Sequence, residues 1–187
     1  RLSARQLGQR ATGNGRRQSF AHMPMPRMTN TFMEGGTAAQ ADMIASTKRG
    51  LYAANFGGGQ VDITNGSDLV TVSWNRFEGH DKLMLIGSSD GATGDRGRLR
   101  VTLHHNLFDD AGQRAPRVRF GQVHIYNNYY RIRNPDNYAY SWGVGIESQI
   151  YAEENFFFSL RQITPDRFIA RFNGTALTAI NNLHSGA

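Results

Sequence analysis

The stretch that decides the fold runs from Val70 to Tyr130. Its first part reads VTVSWNRFEGHDKLMLIGSSDG (70–91) and its second RVTLHHNLFDDAGQRAPRVRFGQVHIYNNYY (100–130). The pattern apolar-x-apolar-x-x-Asn-x-apolar occurs as VTVSWNRF, VTLHHNLF and VHIYNNYY, then again downstream as IYAEENFF and LTAINNLH. Its asparagines are Asn75, Asn106, Asn128, Asn155 and Asn182, spaced 31, 22, 27 and 27 residues apart. A period of that size, holding short strands rather than helices, is the signature of a solenoid of stacked coils. Stacking sets like residues above like, so the turn asparagines can bond from coil to coil and the apolar positions can fill one interior. The competing architecture is a β-sandwich with chance Asn turns, which five matched instances disfavour.

Working outward, strand-like runs rich in β-branched and aromatic residues continue from Val61 to the end. They are VDIT (61–64), LVTVSW (69–74), LMLIG (83–87), RVTLHH (100–105), RVRF (117–120), QVHIYN (122–127), WGVGI (142–146), IYAEENFFF (150–158), FIARF (168–172) and ALTAINN (176–182). All are too short for helices and lack a helical period. Before Val61 the character differs. Residues 1–30 are polar and basic with almost no hydrophobic period, the composition of a solvated leader. Residues 38–52, AAQADMIASTKRGLY, place apolar side chains at helix-like intervals, which predicts a short helix ending near Gly50.

A chain of 187 residues is long enough for one ordinary domain with a sizeable core. It has no cysteine, which excludes disulfides and thiolate metal sites. No apolar run approaches the length that crosses a bilayer. The chain begins at Arg1 without signal-peptide architecture, so a further upstream segment is expected. Its net charge of +6 first suggests a polyanionic partner. Yet residues 1–60 hold eight Lys or Arg against Glu34 and Asp42, and so account for the whole excess; the remaining thirteen basic and thirteen acidic residues cancel. Overall charge therefore carries no information about ligands of the repeat. The basic leader lacks the interleaved aromatics of a nucleic-acid stacking platform.

Chemistry concentrates in QRAPRVRFG, where Arg114, Arg117 and Arg119 precede Gly121. In a strand, residues 117 and 119 point to one face, and clustered guanidinium groups attract carboxylate or phosphate groups. Lys82, a coil or more earlier, adds a point charge on the same side. The structural alternative pairs these cations with Asp81, Asp109 and Asp110 as surface salt bridges. The histidines carry less. His104 and His105 are neighbours in a strand, so they are expected on opposite faces, which rules out a joint metal site. Asp109 and Asp110 diverge for the same reason, and hydrolysis by paired carboxylates gains little from them.

These residues match a family. GSDLVTVSWNRFEGHDKLMLIGSSD, the second half of the opening stretch and the later YSWGVGIES closely resemble pectate lyases of the right-handed parallel β-helix type, over residues 61–187. The resemblance implies an all-β parallel solenoid, truncated at its N-terminal side, in a secreted, monomeric enzyme. It implies calcium-dependent β-elimination that cleaves the acidic polysaccharide polygalacturonate, with no role for nucleic acid or membrane. Matched by motif, Arg114 is the catalytic base, Lys82 and Arg119 bind substrate carboxylates, and Asp62 is a calcium ligand. Arg117 is a further substrate-binding candidate that serves equally well as a structural residue. One calcium carboxylate of the family falls at Gly58 here, and others come from coils that this chain lacks. The calcium site is therefore expected to be incomplete and the activity impaired, which keeps a non-catalytic polysaccharide-binding solenoid as the alternative.

A second resemblance lies upstream. GRRQSFAHMPMPRMTNTFM and IASTKRGLYAANFGGGQVDIT, within residues 15–64, are similar to the C-terminal domain of the TldD/PmbA metallopeptidases. The zinc-binding HExxxH helix and cysteine of that family are absent from the sequence, so peptidase function does not carry over and an inactive remnant is all it implies. The two resemblances meet at VDITNG (61–66), which suggests a chimera of a foreign basic leader (1–60) and a β-helix (61–187). The leader is expected to supply no further regular coils.

Overall fold

The computed structural model describes Phe32–Gly35, Ala41–Met43 and residues 59–186. From Val61 onward the chain forms strands of two to five residues, most of which alternate buried and outward residues, the period that a half-buried strand demands. Three strands make one coil, and equivalent strands of successive coils pair in parallel. The first sheet holds β4 (Val70–Ser73), β7 (Arg100–His104), β10 (Gln122–Tyr126), β13 (Gln149–Glu153) and β16 (Ala176–Ile180). The second holds β5 (Arg76–Glu78), β8 (Leu107–Asp109), β11 (Tyr129–Ile132), β14 (Phe156–Ser159) and β17 (Leu183–Gly186). The third holds β3 (Val61–Ile63), β6 (Met84–Ile86), β9 (Arg117–Val118), β12 (Trp142–Val144) and β15 (Ile169–Arg171). The result is the expected all-β parallel β-helix, with its core inside the coils.

The turn asparagines form a directed ladder. The Nδ2 of Asn75 donates to Oδ1 of Asn106 at 3.1 Å, and the same bond runs from Asn106 to Asn128 at 2.9 Å, from Asn128 to Asn155 at 3.0 Å and from Asn155 to Asn182 at 2.8 Å. Each acceptor oxygen also takes the preceding asparagine's backbone N–H at 3.0 Å. Beside this ladder, the rings of Phe77, Phe108, Tyr130 and Phe157 stack with centroids 5.3, 4.7 and 4.3 Å apart. The Tyr130 hydroxyl accepts from Nε1 of Trp142 at 2.9 Å and donates to the carbonyl of Ala115 at 3.1 Å, so this buried phenol is satisfied. Burial pushes its ionisation far above the usual tyrosine range.

Three readings of the sequence need correction. The run 150–158 is two strands, because Glu154 at φ 53° turns the chain before Asn155. The same left-handed corner precedes the asparagine in every coil, at Trp74, His105, Asn127, Glu154 and Asn181. It creates the whole second sheet from pieces of three or four residues that periodicity could not resolve. The corner also overturns the expected separation of two histidines. With His105 at φ 54° its ring swings back toward His104, and their Nδ1 atoms lie 2.8 Å apart.

The third correction concerns residues 38–52, where a helix is expected. Its part Ala41–Met43 is a strand, β2, pairing antiparallel with β3, since an open sheet edge satisfies its backbone groups with any neighbouring segment. The rest of that prediction, and the reading of residues 1–30, lie outside the described residues. Phe32–Gly35 forms β1, antiparallel to β4. Two of the three sheets are thus continued by antiparallel strands instead of a further parallel coil.

Candidate functional site

The outer face of the third sheet gathers the cations. Along β9, Val118 points inward and is fully buried, which turns Arg117 and Arg119 outward on either side of it. The register of β6 on β9 sets Leu85 beside Arg117, and β3 on β6 sets Asp62 beside Leu85. Asp62, Leu85, Arg117 and Gly143 therefore form one row across four coils. Three residues earlier, Lys82 bridges in parallel to Gln113, and the amide of Met84 donates to the carbonyl of Arg114 at 2.6 Å. Lys82 is thus one coil from Arg114, paired with the residue that precedes it. Arg114 adopts φ 60°, the left-handed conformation of a solenoid corner.

The alternative reading, salt bridges from these cations to Asp81, Asp109 and Asp110, does not hold among the described residues. Asp109 is fully buried and faces Arg76 at 3.0 Å, Arg133 at 3.1 Å and Arg131. Asp110 accepts the backbone N–H groups of Arg133 and Asn134, and Asp81 takes the Gln113 amide at 3.2 Å. Among the described residues, no carboxylate lies within salt-bridge distance of Lys82, Arg114 or Arg117. Among the described residues only Arg119 of these cations is paired with a carboxylate, that of Asp90.

Aromatic residues from later coils support the arginines. The guanidinium of Arg117 lies over the Phe172 ring at 4.1 Å, and Phe172 packs against Tyr140 at 5.3 Å. Burial, then the like charges of Arg119 and Arg114, hold the Arg117 pKa below its usual value, with Tyr140 and Asp90 opposing. Burial raises the Tyr140 pKa against the pull of Arg117 and Arg114. The Nε atoms of Arg114 and Arg117 are buried without a hydrogen-bond partner among the described residues, while both guanidinium groups act on the Tyr140 hydroxyl. They leave polar capacity facing the cation cluster. Gly145 keeps the next coil close, because a Cβ there would sit 2.2 Å from the carbonyl oxygen of Val118. Asp90, Tyr140 and Phe172 were not identified from the sequence, where nothing ties them to QRAPRVRFG; their contacts exist only through stacking.

Asp62 lies outward between buried Val61 and Ile63, and the register of β2 sets Asp42 across from it. Calcium takes six to eight oxygen ligands, several of them carboxylates. Among the described residues no three His, Asp or Glu converge to hold a metal ion. The described residues by themselves therefore do not fit a calcium cage.

The comparisons agree with this architecture. A family model described as pectate lyase matches residues 37–187, starting ahead of the expected junction at residue 61. The pectate lyase of Bacillus subtilis is 44% identical over 132 residues, which are 68% of this chain and 31% of that protein. A solved pectate lyase bound to a hexasaccharide superposes with a TM-score of 0.65 at 42% identity, covering 70% of this chain and 33% of the other. The chain thus spans only part of the length of these relatives. A metalloprotease TldD homolog of Haemophilus influenzae is 56% identical over 73 residues, 39% of this chain and 15% of that protein. With the parallel coils, the Asn ladder and the family match over most of its length, the chain belongs to the pectate lyase family.

Proposed function

We propose that the outer face of the third sheet binds the carboxylates of polygalacturonate and that Arg114 is the base of a β-elimination. The observation that carries this reading is the set of three cations, Lys82, Arg114 and Arg117, on one face without a carboxylate partner among the described residues. Such a face is stabilised by an acidic polymer. Lys82, Arg117 and Arg119 hold uronate carboxylates. Neutral Arg114 takes the proton at C5, the electron pair forms a C4–C5 double bond, and the C4–oxygen bond to the leaving sugar breaks. The leaving oxygen is protonated from water. A guanidinium ordinarily keeps its proton, so the step requires Arg114 to enter it as the neutral guanidine.

We infer that elimination depends on calcium, with Asp62 as one ligand, and that it is impaired here because the described residues assemble no full cage. The same shortfall favours the second reading, a solenoid that binds acidic polysaccharide without cleaving it. Secretion, a monomeric state and a division into a leader (1–60) and a β-helix (61–187) complete the proposal. Among the described residues no helix is long and apolar enough to cross a membrane.

The test is incubation of the full chain with polygalacturonate and calcium, following the ultraviolet absorbance of the unsaturated product. Product that disappears in Arg114→Ala and falls in Asp62→Ala supports the lyase. Binding without product supports the second reading, and absence of both overturns the proposal.

A further inference from the structure

Arg119 stands apart from the other cations. Its side chain is only 12% exposed, and its Nε donates to Oδ1 of Asp90 at 2.5 Å. Nη1 donates to the carbonyl oxygens of Gly87 at 3.1 Å and Ser88 at 3.4 Å. Only Nη2 is left without a partner among the described residues. Asp90, 49% exposed, lies in the turn Ser89–Ala92 of the preceding coil, closed by the Ala92 amide donating to the Ser89 carbonyl at 3.1 Å. Gly87 brings that turn down onto Arg119. It adopts φ 85°, and a Cβ there would sit 2.6 Å from the Arg119 carbonyl oxygen. The Asp90 charge also acts on Arg117.

A carboxylate on a guanidinium Nε is also what a bound uronate would place there. Asp90 therefore already places a carboxylate on Arg119 from within the chain. We infer that Asp90 is a specificity-determining residue that competes with uronate carboxylates for Arg119. It neutralises this one cation while its neighbours stay open, weakens the grip on a fully acidic sugar, and leaves the Arg119 position tolerant of an esterified, uncharged unit. An acidic sugar must displace Asp90 or accept a single donor while facing a like charge. This rests on the proposal that the face binds polygalacturonate.

The test measures binding of the full chain to oligogalacturonate and to its methyl-esterified form by titration calorimetry, for Asp90→Asn and Asp90→Ser. At low salt both variants are expected to bind the acidic oligomer about five-fold more tightly, a gain of the size seen for charges at a partly solvated site that shrinks as salt screens it. The esterified oligomer is expected to bind all forms alike. In an Arg119→Ala background, Asp90→Asn is expected to change nothing. Unchanged or weaker acidic binding in both Asp90 variants, at wild-type thermal stability, overturns the inference, as does a gain that persists without Arg119. If the unsubstituted chain fails to bind oligogalacturonate, or binds it regardless of Lys82→Ala and Arg114→Ala, the reading of the face itself falls. That outcome is distinct from a null result on a chain that binds.

Discussion

Arg117 lies 4.1 Å from the centroid of Phe172, with its cation resting on the ring face. This contact separates it from Lys82 and Arg114, because stacking on an aromatic ring fixes a guanidinium plane in a way that an ammonium cannot reproduce. Arg117 thus has a structural contact, one of the two options that the sequence left open, beside the substrate-binding role proposed for it.

Replacing Phe172 by Leu is expected to cost about 1 kcal/mol of stability from the lost cation–π contact. It is also expected to weaken oligogalacturonate binding by freeing Arg117. Arg117→Lys keeps the charge and should weaken binding to a similar extent, and the double variant should be no worse than either single one. A double-mutant cycle by calorimetry checks this; additive losses would mean that ring and cation act separately.

The Asn ladder predicts graded costs along the solenoid. Asn128 donates to Leu103, Tyr126 and Asn155 and accepts twice from Asn106, all while buried. Asn128→Ala strands several of these groups and should cost about 3 kcal/mol in denaturant unfolding. Asn75 ends the ladder with an Oδ1 that has no partner among the described residues, so Asn75→Ala should cost about half as much. Equal losses would refute the directed ladder.

Asp109 predicts acid sensitivity. Burial alone would raise its pKa, but Arg131, with Arg133 and Arg76 around it, holds the carboxyl below the usual range. A depressed folded pKa contributes stability that is present above the unfolded value of about 4. That stability is lost as pH falls through the folded pKa. Asp109→Asn should therefore cost stability at neutral pH, about 2 kcal/mol because the three arginines are partly exposed and screened. The gap to the unsubstituted chain should close as pH falls below about 4. Thermal melts across that range measure it.

The paired histidines predict a second, milder slope. Desolvation lowers the pKa of both His104 and His105, with His105 and His124 adding repulsion at His104. The unfolded chain then takes up protons first, so stability is complete above about pH 6.5 and declines below it. His105→Asn keeps the left-handed corner, which asparagine tolerates, and should flatten the fall in melting temperature between about pH 7 and 5. An unchanged slope would exclude the pair as its source.

What the sequence by itself determined is the coil. Alternating strands, the five turn asparagines and the run Arg114–Arg119 are local patterns, and stacking equivalent coils buries the apolar positions and asparagines together while leaving the arginines on the outer side. It failed where backbone conformation departs from strand alternation, at the left-handed corner that brings His105 back to His104. It failed again where an open edge recruited Ala41–Met43 as a strand in place of the expected helix. Only the tertiary structure decided which cations remain open. Asp109 draws Arg76, Arg131 and Arg133 to the second sheet, Asp90 takes Arg119 across 29 residues, and Phe172 supports Arg117 from two coils away. The physical reason is that such partners are set by the register between coils, which each strand's own pattern leaves unspecified.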